Sequence, residues 1–185
     1  LAALTAIAAR MAGEGPAGAP SPHEALAMGQ IYERLGRWEE ADASFARAAG
    51  FGEAPWDARS IDREIRADAL RHLALERRRR HRYEEAAEAW RQLIETGAGP
   101  GFTQEARRAL AIHHEHRVRN LEEARRHAEG ALASEQDPAA VEALRRRAAT
   151  VAVRLTELRD GGAEHRLSLG SDGRPVALVA EPRRA

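Results

Sequence analysis

The sequence contains no cysteine, and every one of its 29 basic side chains is arginine, because lysine is absent as well. Without thiols there are no disulfides, no zinc–thiolate sites and no cysteine nucleophile, so cysteine usage leaves the redox compartment open. Aromatic residues make up only 4 % of the chain, which is not the composition of a β-sandwich or an α/β enzyme. No apolar run approaches the ~20 residues that a membrane span requires. An excess of one charge is also missing, since 29 acidic residues balance the 29 arginines. That balance argues against whole-surface binding to nucleic acid, while it allows a local basic patch.

Alanine supplies 41 of the 185 positions. Alanine is the best intrinsic helix former, and Arg and Glu are good ones. The composition therefore predicts an all-α protein with thin, alanine-lined contacts between helices. The length suits one ordinary domain or one array of short repeats.

The opening LAALTAIAARMAG has the apolar character of a signal-peptide core, but it lacks a basic start and begins at Leu1. Leu1, Leu4, Ala8 and Met11 make one helical stripe. Residues 1–12 are expected to be the helix end of an upstream domain. Residues 13–21, rich in Gly, Pro and Ala, read as an extended linker.

Beyond the linker the chain repeats itself. Trp38-Glu39-Glu40-Ala41, Tyr83-Glu84-Glu85-Ala86 and Leu121-Glu122-Glu123-Ala124 share one string. Four residues past each alanine come Phe45, Trp90 and Ala128, and three further come Ala48, Leu93 and Ala131. Met28-Gly29 and Leu73-Ala74 place a large–small pair ten residues before Trp38 and Tyr83. This is the pattern of a helix hairpin whose two helices approach closely over small residues. Gly36 stands where the first helix must end in a left-handed residue, which glycine adopts at little cost. His81 and Arg119 occupy the equivalent points, so those turns are expected to be less comfortable. A single hairpin cannot bury its apolar face alone, whereas stacked neighbours can.

Met28-Gly29…Tyr32…Leu35-Gly36-Arg37-Trp38…Ala41…Phe45…Ala48 resembles a tetratricopeptide repeat, residues 67–100 resemble a second, and 105–135 a weaker third. The resemblance implies a helical-hairpin solenoid over residues 22–135. Ala41 and Ala86 lie 45 residues apart, eleven more than the ~34-residue period. A lengthened helix from Trp56 to Arg80 is expected to absorb them. The four extra residues between Ala86 and Ala124 are expected in the loop 96–101. Residues 136–159 read as a capping helix, with Asp137 as N-cap, Pro138 at the first position and an outer face of Arg145, Arg146, Arg147 and Arg154. Its stripe is Val141, Leu144, Ala148, Val151, Leu155 and Leu158. Residues 160–185 read as a tail or a small β-hairpin, with strands at 166–169 and 176–179.

In tetratricopeptide repeats the first helix of each pair lines a concave groove. The resemblance places Arg34, Arg71, Arg78, Arg79, His113, His116 and Arg117 there, beside His23, Gln30, Glu33 and Leu75. Arginine forks pair with carboxylate or phosphate. The implied ligand is an acidic peptide or protein segment, or a nucleic-acid backbone. No aromatic falls on those groove positions, so strand binding would be sequence-independent and salt-sensitive. The run Arg77–Arg82 also reads as a solvated face at a helix C-terminus. His113 and His116 share a helix face, but two imidazoles without a third ligand do not make a metal site. No cofactor and no catalytic constellation is expected, so the chain reads as a cytoplasmic non-enzyme with no membrane partner.

The helix end, the linker, MGQIYERLGRWEEADASFARA and AIHHEHRVRNLEEARRHAEGAL together resemble the bacterial ribonuclease-H-like (YprB-type) proteins. Their exonuclease-like domain precedes a tetratricopeptide region. That resemblance implies an alternative role, in which the chain positions nucleic acid for, or regulates, a metal-dependent nuclease domain lying before Leu1. No Asp or Glu stands between Leu1 and Ala12. None of that domain's metal ligands falls on this sequence.

Overall fold

Helix starts and stops are written locally in this chain, and among the described residues eight α-helices follow from them. The structure, a computed structural model, describes residues 2–51, 56, 61–133 and 138–167. In chain order the helices are α1 (Ala2–Gly13), α2 (Pro22–Arg34), α3 (Trp38–Ala48), α4 (Arg63–Arg79), α5 (Tyr83–Glu95), α6 (Pro100–His113), α7 (Leu121–Leu132) and α8 (Pro138–Leu167). There is no strand among the described residues. No helix is long and apolar enough to cross a membrane among them.

Successive helices pack against one another in sequence order, most extensively within the pairs α2/α3, α4/α5 and α6/α7 and between α7 and α8. The first helices of the pairs also meet in series, α2 with α4 and α4 with α6. The alanines of the shared string are buried in every pair: Ala41, Ala86 and Ala124, then Phe45, Trp90 and Ala128, then Ala48, Leu93 and Ala131. Trp38, the first residue of the string in the first pair, stays 43 % exposed. Gly29 shows why small residues matter. A Cβ at that position would stand 2.5 Å from the Phe45 ring, well inside contact distance. Ala74 is fully buried at the equivalent place in α4.

The three turns inside the pairs share one backbone device. Gly36, His81 and Arg119 have φ of 70°, 62° and 58°, so all three sit in the left-handed region. In the first two turns the chain closes by Arg37 N–H donating to Tyr32 O at 2.9 Å and Arg82 N–H to Arg77 O at 2.8 Å, each spanning five residues. In the third, Asn120 N–H reaches His114 O at 3.0 Å, a span of six. The additional residue is held in a π-helical turn, His114–Val118, that continues α6. Leu110-Ala111 is therefore the large–small pair of the third hairpin, eleven residues before Leu121 instead of ten. The spacing rule missed the pair for that reason. The added length was expected in the loop 96–101, but α6 begins within it at Pro100.

Other expectations need correction. The long helix expected from Trp56 begins at Arg63, because the Asp62 carboxylate accepts from Glu64 N–H at 2.9 Å and Ile65 N–H at 3.4 Å and fixes the start there. Trp56 lies outside the helix and carries the Arg47 guanidinium 5.0 Å above its ring. The linker is not free: Gly15–Gly18 form a 3-10 turn packed on α3, and Ala19 is buried. Met11 of α1 packs on the core and its carbonyl accepts from the Tyr32 hydroxyl at 3.3 Å.

The capping helix continues past residue 159 through Gly161-Gly162 to Leu167. Arg166 and Leu167, expected in a strand, are helical, since Ala163 to Leu167 are good helix formers and an isolated hairpin is marginal in water. The rest of the expected hairpin lies outside the described residues, as does Asp137. Along the α8 stripe Leu144 and Val151 are buried, while Leu158 is 68 % exposed.

Two outcomes follow from this geometry. Gly29→Val is expected to destabilise the chain by about 2 kcal/mol through overpacking against Phe45, read as a lower urea midpoint. Combining it with Phe45→Leu should recover part of that loss. Arg119→Gly relieves a left-handed non-glycine residue and should raise thermal stability by up to about 1 kcal/mol.

Candidate ligand cavity

Four of the seven expected groove residues converge on one cavity of about 350 Å³ between α5 and α6. Arg78 comes from the end of α4, His113 from the end of α6, and His116 and Arg117 from the π-helical turn. Tyr83, Ala86, Ala87 and Trp90 of α5 and Ala109 and Ile112 of α6 supply the apolar walls. The Arg117 guanidinium carbon lies 3.8 Å from the centroid of the Tyr83 ring, a cation–π contact between two residues that line the cavity. His113 is 8 % exposed and its Nε2 makes no hydrogen bond. The nearest carboxylate oxygen, on the well-exposed Glu84, is 3.5 Å away and outside hydrogen-bonding geometry.

The three remaining arginines do not line this cavity. Arg34 is exposed at the end of α2. Arg71 is held by Glu105 at 2.6 Å. Arg79 bonds Glu33 at 2.9 Å and also Glu76.

The arginine run is therefore only partly a solvated face. Arg77 pairs with Asp42 at 3.2 Å, Arg80 with Glu39 at 3.4 Å, and Arg82 with Glu85. Among the described residues Arg78 is the one arginine of the run without a carboxylate partner, and Arg117 has none either. A repeated detail explains the Glu-Glu of the shared string. The second glutamate pairs back to the arginine before the helix, Arg37 with Glu40 and Arg82 with Glu85, where the helix dipole also favours a carboxylate.

Beside Arg79 lie a buried carboxyl, Glu76, and a half-buried one, Glu33. Burial drives the Glu76 carboxyl up, more than the Arg79 bond draws it down, and the neighbouring Glu33 charge adds to the rise. For Glu33 burial also pushes upward, but the Arg79 bond, the His72 charge and a hydrogen bond from Glu76 outweigh it and leave the group lowered. The His72 ring stacks on Phe45 with centroids 4.8 Å apart.

The π-helical turn has a second role. Glu115 faces α8, where Arg147 at 3.3 Å and Arg154 at 3.2 Å hold its carboxylate. Those two arginines, expected on a solvating outer face, instead compensate a buried charge. An adjoining cavity of about 510 Å³ between α6 and α8 shares Ile112 and His116 with the first. His114 stacks on His127 with centroids 5.5 Å apart; burial lowers both, followed by the His113 charge for His114 and the His114 charge for His127. No group of three metal-ligating side chains is placed to hold a metal ion among the described residues.

Register counting missed Tyr83 and Trp90, because only first helices were assigned to the groove. It also missed Ala87 and Ala109. The signal was available in the comparison of pairs, where Asp42 and His72 stand at the corresponding positions. No family model, curated protein sequence or solved structure matches the chain.

Glu76→Gln tests the buried carboxyl. A raised folded-state pKa stabilises the protonated form, so that contribution is present below about 4.5 and lost as pH rises through the folded value. The variant should gain stability relative to the parent across that window and hold a constant difference above it, as read from urea midpoints at stepped pH. Glu115→Ala should loosen α8 selectively, seen as faster proteolysis after residue 133 with α2–α5 protected.

Proposed function

We propose that this chain is an interaction module built as a tetratricopeptide-like solenoid, which holds an acidic peptide or protein segment and performs no catalysis itself. One observation carries the reading. Arg78 and Arg117, with His113 and His116, face a single cavity, while Arg77, Arg79, Arg80 and Arg82 beside Arg78 are paired with carboxylates of the fold. A chain of zero net charge thus offers a local basic site. A left-handed residue at the turn of three successive helix pairs, and the serial contact of their first helices, support the repeat assignment.

The acidic segment lies over Ile112, which joins the two cavities flanking α6. Its carboxylates take the fork of Arg117 and the head of Arg78, and its apolar side chains face the walls of the cavity. The interior of the cytoplasm is the setting proposed for such a reader of soluble segments.

The test uses a fluorescent glutamate-rich peptide. Arg78→Glu with Arg117→Glu should weaken its binding at least about tenfold, the scale of one or two charge-assisted hydrogen bonds, with helicity unchanged by circular dichroism. Arg34→Glu should leave affinity unaltered. Unchanged binding in the double variant would refute the proposal. Preferential capture of single-stranded oligonucleotide, with a steep loss on adding salt, would replace it with the nucleic-acid role.

A further inference from the structure

Two adjacent helix interfaces in this fold are built on one plan and differ by a missing ring. Between α3 and α4, Phe45 is covered by the imidazole of His72, stacked at 4.8 Å and 15°. Between α5 and α6, Trp90 stands 45 residues after Phe45 in the same register, but Ala109 stands at the place of His72. The register is fixed by the buried pairs Leu73-Ala74 and Leu110-Ala111. Opposite, Ala87 replaces Asp42, which in the earlier interface fills space and binds Arg77. Both substitutions remove volume on facing sides of one interface. The cavity beside Trp90 and Ala109 is the result.

We infer that this cavity is a binding site for an aromatic ring bearing a carboxylate, with the ring seated against Trp90 where His72 lies one pair earlier, and the carboxylate on Arg78 and Arg117. The inference rests on the proposed anion-binding role of those two arginines and specifies what that anion is attached to. The chemistry of each wall agrees. Ala87, Ala109 and Ile112 give an apolar slot between helices. His113 Nε2, buried and without a hydrogen bond, faces that slot with the Glu84 carboxylate 3.5 Å away, and a buried group left without a hydrogen bond costs free energy that a ligand carboxylate in bonding geometry would recover. Arg117 is already in cation–π contact with Tyr83, so less side-chain freedom is lost when its fork engages a carboxylate. A volume of about 350 Å³ falls at the small end of ligand pockets. The same chemistry is offered by a free aromatic acid and by the C-terminal residue of a partner ending in Phe, Tyr or Trp.

Titration of the chain with N-acetyl-L-phenylalanine, its C-terminal amide and N-acetyl-L-alanine, followed by heat or by NMR shifts, tests this. The acid should bind at least about tenfold tighter than the amide, the scale of a charge-assisted hydrogen bond, and tighter than the alanine acid by a similar factor for the ring. Ala109→His, which supplies the absent imidazole, should abolish binding. Ala87→Asp should do so through charge, which keeps the test sound if one variant is misfolded by its melting curve. Glu84→Gln, removing the carboxylate 3.5 Å from His113, should tighten binding.

An amide that binds as well as the acid, or full binding by both cavity variants, would overturn the inference. Glutamate-rich peptide that binds while every aromatic acid fails would also sink it and leave the acidic-segment reading standing. Loss of both would remove both. An octapeptide ending in phenylalanine that outbinds N-acetyl-L-phenylalanine identifies a partner's C-terminus as the source, and the reverse order identifies a free acid. Either order sustains the site.

Discussion

The closeness of paired helices is the constraint on which the rest of the structure depends. It is set where Gly29 faces Phe45, leaving no room for even a methyl group, and is repeated by the buried alanines at 41, 74, 86, 111 and 124. Helices that cross this near one another bury their backbones and need few large side chains. A chain with 4 % aromatics can then hold together. The same closeness makes any missing side chain conspicuous, since a pair of alanines facing each other across two helices leaves a cavity instead of a thinner core.

Electrostatics operates on top of that packing. The arginines carry most of the specific contacts between elements: Arg77 ties α4 to α3, Arg71 ties it to α6, and Arg147 and Arg154 tie α8 to the turn after α6. Planar guanidinium groups suit this work better than ammonium groups, because one fork can serve two carboxylates at fixed angles. Within the run Arg77 to Arg82, Arg78 is the one arginine with no carboxylate partner among the described residues, and it shares its cavity with Arg117, which has none either.

Much of the helical pattern was legible from residue spacing alone. The string at Trp38, Tyr83 and Leu121 located the second helix of each pair, and Gly36 identified the turn position whose left-handed backbone His81 and Arg119 also adopt. Two kinds of feature were hidden. One is insertion inside a helix: the π-helical turn at His114–Val118 shifts register by a single residue, and no residue type announces it. The other is contact between elements far apart in sequence. That Glu115 would collect Arg147 and Arg154 depends on where α8 docks, and the cavity between α5 and α6 depends on which residues are small on both helices at once. Counting along one helix reveals neither. Comparing equivalent positions of successive pairs would have exposed the second.

The alanine lining also sets how the chain responds to temperature. Heat capacity on unfolding rises with the apolar area exposed, and typical chains show about 12–15 cal/mol/K per residue. A methyl group exposes far less such area than leucine or phenylalanine, and the long arginine and glutamate side chains on the outer faces are already hydrated when folded. The heat-capacity increment per residue is therefore expected to be low for a chain of this length, which would flatten the stability curve around its maximum.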